Sequence, residues 1–150
     1  MTKKQLQIKA AEIRKLLLGM IYEGKAGHTG GSLSCTDILV ALFYYKMKHR
    51  PHDPQWVGRD RFLLSKGHSV EVYYSILADM GYFPVEELKT FSKFKSRLIG
   101  HPSTEVPGVE MNTGSLGHGL PIGVGMAMAT NMLEMDNRIY VLMGDGELAE

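Results

Sequence analysis

The last seven residues, Gly-Asp-Gly-Glu-Leu-Ala-Glu (144–150), follow the apolar run Ile139-Tyr140-Val141-Leu142-Met143. In an open parallel sheet, ligands bind beyond the carboxyl ends of strands. An Asp in that place can offer a carboxylate to a hard divalent cation, and flanking glycines let a diphosphate approach backbone N–H groups. Mg²⁺ favours such mixed carboxylate and phosphate sites over an all-protein cage. The same Asp-Gly pair is also a common turn. Four of the six histidines directly follow glycine: His28, His68, His101 and His118. Imidazole exchanges protons near neutral pH and hydrogen-bonds anions, so histidines beside open backbone suit a phosphorylated or polyhydroxylated ligand. They also read as surface histidines in loops. A third segment, Asn112-Thr113-Gly114-Ser115-Leu116-Gly117-His118-Gly119, precedes an uncharged stretch. Helix-start N–H groups there can bind an anion, or the glycines can serve as a cap. Neither the dinucleotide fingerprint nor the Walker pattern is present. With one cysteine and no His pair at helical i, i+4 spacing, a zinc site is not expected.

These residues need a scaffold, and the pattern predicts an α/β one. Leu6, Ala10, Ile13, Leu17 and Met20 recur at helical spacing over residues 4–22, with Gly24 as the stop. Residues 24–34 read as a glycine-rich loop. A second helix is expected from Ser34, where Ser34-Cys35-Thr36-Asp37 forms a variant capping box. Arg61–Ser65 reads as a short strand, and residues 69–81 as a helix with Ser69 as N-cap and Gly81 as stop. Pro84 opens another short helix. Residues 95–115 form a long irregular segment of the kind that is usually functional or disordered. Residues 119–133 read as a buried helix, with Met126, Met128, Met132 and Met135 as core filler. Helices alternating with strands imply a mostly parallel sheet flanked by helices.

Composition narrows the partners. The chain has 150 residues, enough for one domain. A net charge of +1 gives no reason to expect nucleic acid or an acidic membrane surface. No apolar run approaches the roughly 18 residues of a membrane span. The N-terminus has no continuous apolar stretch of the signal-peptide kind. The single Cys35 suits a reducing cytoplasm.

Taken in order, Ala26–Gly31 (AGHTGG), Arg59–His68 (RDRFLLSKGH), Gly100–Pro102 (GHP), Thr113–Leu120 (TGSLGHGL) and Gly144–Glu150 (GDGELAE) resemble the motifs of transketolase. The linking segments GYFPVEELKTF and GVGMAMA match too, so the resemblance covers nearly the whole chain. It resembles most the N-terminal component of a split transketolase. The resemblance implies a thiamine-diphosphate-binding fold, with residues 1–150 forming the N-terminal part of the diphosphate-binding domain. It implies transfer of a two-carbon ketol unit from a ketose phosphate to an aldose phosphate, with thiamine diphosphate and a divalent metal, Mg²⁺ or Ca²⁺/Mn²⁺. Asp145 would be a metal ligand, Gly146 would contact the diphosphate, and His68 would hydrogen-bond it. Gly114, Ser115 and Leu116 would meet the aminopyrimidine end. His28 and His101 would line the donor-sugar site and assist proton transfer, and Glu150 matches a glutamate at the family's subunit contact.

Two positions depart from the pattern: His118 stands where many members carry Gln, and Ser115 where many carry Pro. The family's second metal-ligand asparagine lies downstream of the Gly-Asp-Gly turn, beyond residue 150. Its activating glutamate belongs to a pyrimidine-binding domain. The expectation is therefore a chain inactive alone, in need of a C-terminal component or second subunit. The alternative is a non-catalytic interaction partner of such a component.

Overall fold

The computed structural model describes residues 1–150. Helix α1 spans Lys3–Gly24 and is started by a reciprocal Thr2–Gln5 capping box. Its Ala10, Ile13, Leu17 and Met20 are buried, which is the periodic stripe read from the sequence. Helix α2 spans Thr29–Ala41 and continues into a π turn over Leu42–Lys46. Strand β1 (Arg61–Leu64) leads through a 3₁₀ turn at Gly67–Ser69 into α3 (Val70–Asp79). A further 3₁₀ turn covers Val85–Thr90. After a long irregular segment come α4 (Gly119–Met132), β2 (Ile139–Leu142) and a last 3₁₀ turn at Gly146–Ala149. The two strands are parallel, with Arg61 opposite Ile139 and Leu64 opposite Leu142.

Helix α3 is the centre of the molecule, with every residue from Val70 to Ala78 buried. Phe43, Phe62 and Tyr73 meet there edge to face, an arrangement aromatic rings favour. The irregular segment is anchored rather than loose. Leu98, Val106 and Val109 enter the core. Tyr73 and Tyr74 donate to the carbonyls of Gly108 and His101 at 2.6 and 2.8 Å. Arg59 grips Glu110 through two hydrogen bonds of 2.7 and 2.8 Å, a bidentate pair of fixed geometry.

Some expectations need correction. The 24–34 stretch is not all loop: α2 starts at Thr29, so Gly30 and Gly31 are helical. Ser34 is inside that helix, and its hydroxyl donates back to the Gly31 carbonyl instead of capping a start. Ser69 precedes α3 but makes no capping bond. Pro84 leads into a 3₁₀ turn, not an α-helix. Finally, α4 is not buried. Gly123 packs on Val141 of β2, while Leu120, Val124, Met128 and Met132 face outward. Met126 and Met135 are only half-buried. An uncharged helix can be covered on all sides, but these residues offer α4 a single surface, the two-stranded sheet, chiefly at β2.

Candidate active site

Because β1 and β2 are parallel and in register, their exits emerge side by side at the carboxyl edge of the sheet. Ser65, Lys66, Gly67 and His68 leave β1; Gly144, Asp145, Gly146 and Glu147 leave β2. Glu147 joins these exits to the entry of α4. One carboxylate oxygen accepts the Ser65 hydroxyl and, at 2.9 Å, the Gly117 N–H. The other accepts the Gly144 N–H at 3.0 Å. Ser65 Oγ in turn accepts the Gly119 N–H at 3.1 Å. Burial pushes the Glu147 carboxyl up, but these donors and the nearby His68 hold it below its ordinary value. The carboxylate is thus ionised and fixes the shape of both strand exits.

The histidine cluster is built from three segments. His28 precedes α2, and its backbone N–H donates to Glu71 of α3 at 2.8 Å. The Ser32 hydroxyl donates to the other Glu71 oxygen at 2.6 Å. This buried carboxylate clamps the start of α2 from a distance, holding His28 just before the first turn and the Ser32 side chain at its end. The His28 ring then stands edge-on to His68, with ring centres 5.3 Å apart. Burial lowers the His68 pKa, and the neighbouring His28, Lys66 and His101 lower it further, against an opposing pull from Glu147. His68 is therefore neutral at pH 7, able to donate from one nitrogen and accept at the other.

His101 is placed by the bond from Tyr74 to its carbonyl, and its ring lies against Gly114. Gly114 has φ +150°, and a Cβ there would come within 2.9 Å of the His101 ring. A Cβ on Gly67 would lie 2.7 Å from Thr113 Oγ1, which itself donates to the Leu64 carbonyl at 2.6 Å. Glycine is required at both places, one for conformation and one for close approach.

The structure thus brings together His28, His68, His101 and Gly114. Ser115 and Leu116 turn toward His118, whose Nδ1 is 3.1 Å from both the Ser115 hydroxyl and the Leu116 carbonyl. With Thr113, Gly114 and Gly119, Ser115 and His118 line a cleft of about 250 Å³. Asp145 and Gly146 are exposed on the rim, and the Asp145 carboxylate makes no hydrogen bond or ion pair. No three His, Cys, Asp or Glu side chains converge as a metal cage. His49 stands apart, its ring nitrogens 2.8 Å from the Phe43 carbonyl and 3.0 Å from the Tyr82 hydroxyl.

Sequence reasoning passes over Ser65, Lys66, Glu71 and Glu147. Lys66 is within its reach, as a lysine at a strand exit beside Gly-His; the two glutamates carry no local signal. The donor set fits a diphosphate-bearing ligand. It offers glycine-lined backbone, a neutral imidazole and an unengaged carboxylate for a cation to bridge.

Residues 5–150 match the family described as transketolase, thiamine diphosphate binding domain. The chain belongs to the transketolase family. It is similar to an apulose-4-phosphate transketolase subunit from Phocaeicola vulgatus, at 50% identity over 97% of this chain and 52% of that one. It is also similar to 6-deoxy-6-sulfo-D-fructose transketolase subunit SqwG of a Clostridium species, at 46% identity over 97% of this chain and 53% of that one. Among solved structures, transketolase from Campylobacter jejuni superposes with a TM-score of 0.93 at 38% identity, covering 100% of this chain and 25% of its own. Transketolase from Leishmania mexicana gives 0.93 at 36% identity, covering 97% and 23%. The chain therefore spans about half the length of the curated subunits it matches. The expected family and the parallel α/β fold are both borne out.

Proposed function

We propose that this chain is the diphosphate-binding part of a transketolase that moves a two-carbon ketol unit from a ketose phosphate to an aldose phosphate. The observation that carries the reading is the meeting of His28, His68 and His101 with Gly114 beside the Gly-Asp-Gly exit of β2. Bound thiamine diphosphate supplies the carbanion-stabilising centre. The residues of this chain bind, orient and handle protons around it. His68, held neutral, donates a hydrogen bond to a diphosphate oxygen, and the Gly146 backbone meets the same group. Asp145 ligates the divalent cation, Mg²⁺ or Ca²⁺/Mn²⁺. Gly114, Ser115 and Leu116 meet the aminopyrimidine end. His28 and His101 bind the oxygens of the donor sugar and shuttle protons at them.

The chain works with a C-terminal component or second subunit that supplies the pyrimidine-binding side. Its relatives named as subunits support this reading. No helix is long and apolar enough to cross a membrane. We place the protein in the cytoplasm, where its single free, buried Cys35 stays reduced.

Calorimetric titration of thiamine diphosphate with Mg²⁺ into the full-length chain and its partner tests the proposal. Saturable binding that Asp145→Asn weakens, together with ketol transfer only when both components are present, is expected. Turnover by residues 1–150 alone would refute the need for a partner. Capture of a transketolase component without cofactor retention would favour a non-catalytic partner instead.

A further inference from the structure

Along its buried run from Val70 to Ala78, helix α3 carries one charged residue, Glu71. Its carboxylate is 0% exposed and takes part in none of the ion pairs. Burying a carboxylate is costly unless its lone pairs are used, so the groups it holds carry the reason for it. There are two, both from the start of α2: the His28 N–H at 2.8 Å and the Ser32 hydroxyl at 2.6 Å. An apolar side chain of similar size would fill the same space, but only an acceptor holds that N–H. The backbone before it is shaped around the carboxylate. Gly27 has φ +141°, and a Cβ there would come within 2.6 Å of Glu71 Oε1 and 2.8 Å of Ile21 Cγ1. Position 27 thus needs glycine for both conformation and clearance. His28 follows with φ −113° and ψ 73°, outside helical geometry. Its ring is exposed and makes no hydrogen bond; its aromatic neighbour is His68, with an interplanar angle of 63°. The aim of the ring is therefore set by its backbone, and the backbone is held by Glu71.

We infer that Glu71 is a positioning residue for the donor sugar: through the His28 N–H, its carboxylate sets where the His28 imidazole meets the sugar oxygens. The inference rests on the proposed function and adds to it a core residue that touches neither sugar nor cofactor. Loss of the carboxylate impairs use of the donor and spares cofactor binding.

The test uses the full-length chain with its partner, thiamine diphosphate and Mg²⁺, and a panel of pentulose, hexulose and heptulose phosphates as donors. Glu71→Met, apolar and of similar length, is expected to lower kcat/KM for the best donor about 10- to 100-fold, the scale of a reacting group displaced by about 1 Å. Calorimetric Kd for thiamine diphosphate stays at the wild-type value. Glu71→Gln restores donor use, because its amide oxygen still accepts the His28 N–H while its NH₂ donates to the Ser32 hydroxyl. On a His28→Ala background, Glu71→Met has no further effect on donor kcat/KM, since the ring through which it acts is gone. If Glu71→Met melts below the assay temperature, Glu71→Asp, which retracts the carboxylate by one methylene, is read in its place. Donor kcat/KM equal to wild type in a folded variant, or equal losses with and without His28, overturns the role of Glu71 alone. A wild type that transfers no ketol unit from any donor of the panel overturns the proposed function, and this inference with it.

Discussion

Replacing Glu147 by Ala removes the acceptor shared by three donors from three segments: Ser65 Oγ, Gly117 N–H and Gly144 N–H. A buried donor left unsatisfied costs about 1–3 kcal/mol. Three such donors would reach roughly 3–9 kcal/mol, but Gly144 and Gly117 are only half-buried and water can reach them in the variant. The expected loss is therefore about 3–5 kcal/mol, a large part of the ~5–15 kcal/mol that holds a domain folded. Urea unfolding followed by far-UV circular dichroism measures it as a lower midpoint at unchanged slope. Glu147→Gln keeps the volume but offers one acceptor to three donors, so it loses less than Ala and still more than about 1 kcal/mol.

The pH dependence separates this account from simple cavity formation. The folded pKa of Glu147 lies below its ordinary value of 4.5, so its stabilisation is complete above 4.5 and is lost as pH falls through the folded value. The gap between wild type and Glu147→Gln must therefore narrow as pH falls below 4.5. A gap that stays constant with pH, or a Glu147→Ala midpoint equal to wild type, would refute the tie between the two strand exits.

His68 should titrate below 6.5 in an NMR pH series, and His28→Ala should raise it by removing one nearby charge. Because its neutral form is favoured in the fold, the His68 contribution to stability is full above 6.5 and declines as pH falls through the folded value. On α4, Gly123→Ala should lower the melting temperature by the equivalent of about 1–3 kcal/mol, since overpacking is costly and a Cβ there would meet Val141 Cγ2 at 2.5 Å. Gly125→Ala meets nothing within 4 Å and should be neutral or stabilising by up to about 1 kcal/mol. Glu71→Leu should speed hydrogen exchange at the His28 amide more than at the middle of α2, because it strips that amide of its acceptor. Uniform exchange along α2 would count against that role.

What can be read from the residues is local. The stripe from Leu6 to Met20 specifies α1 because every fourth or third apolar residue must face the core, and no distant group is needed to see it. The strand at Arg61–Leu64 and the start of β2 are legible for the same reason, as short apolar runs between turn residues. The Gly-His pairs point to His28, His68 and His101 because a histidine at a glycine turn stands outside the periodic apolar segments that build the core.

The start of α2 is not legible, and the reason is specific. Thr29-Gly30-Gly31 has poor helix propensity and no cap of its own, so local reasoning delays the helix to Ser34. A carboxylate from α3, buried in the core, holds the His28 N–H just before the helix and the Ser32 hydroxyl within it, and so pins a turn of poor propensity. The apolar composition of α4 is plain in the sequence, but burial depends on which surfaces are present to cover it. Here only the face toward the two-stranded sheet is covered.

Three of the four site residues that escape sequence reasoning share one property. Lys66, Glu71 and Glu147 are charged and almost fully buried. Residues of these types are usually exposed, so type alone argues against placing them inside. Only tertiary contacts show that Glu71 and Glu147 are satisfied by donors from other segments, and that Lys66 is held by the Gly31 carbonyl beside the Cys35 thiol. The two glutamates fix the backbone that carries His28 and the Gly-Asp-Gly turn, and their cost is offset within the fold. Lys66 meets the Gly31 carbonyl and the Cys35 thiol, both on α2, so its burial ties the exit of β1 to that helix.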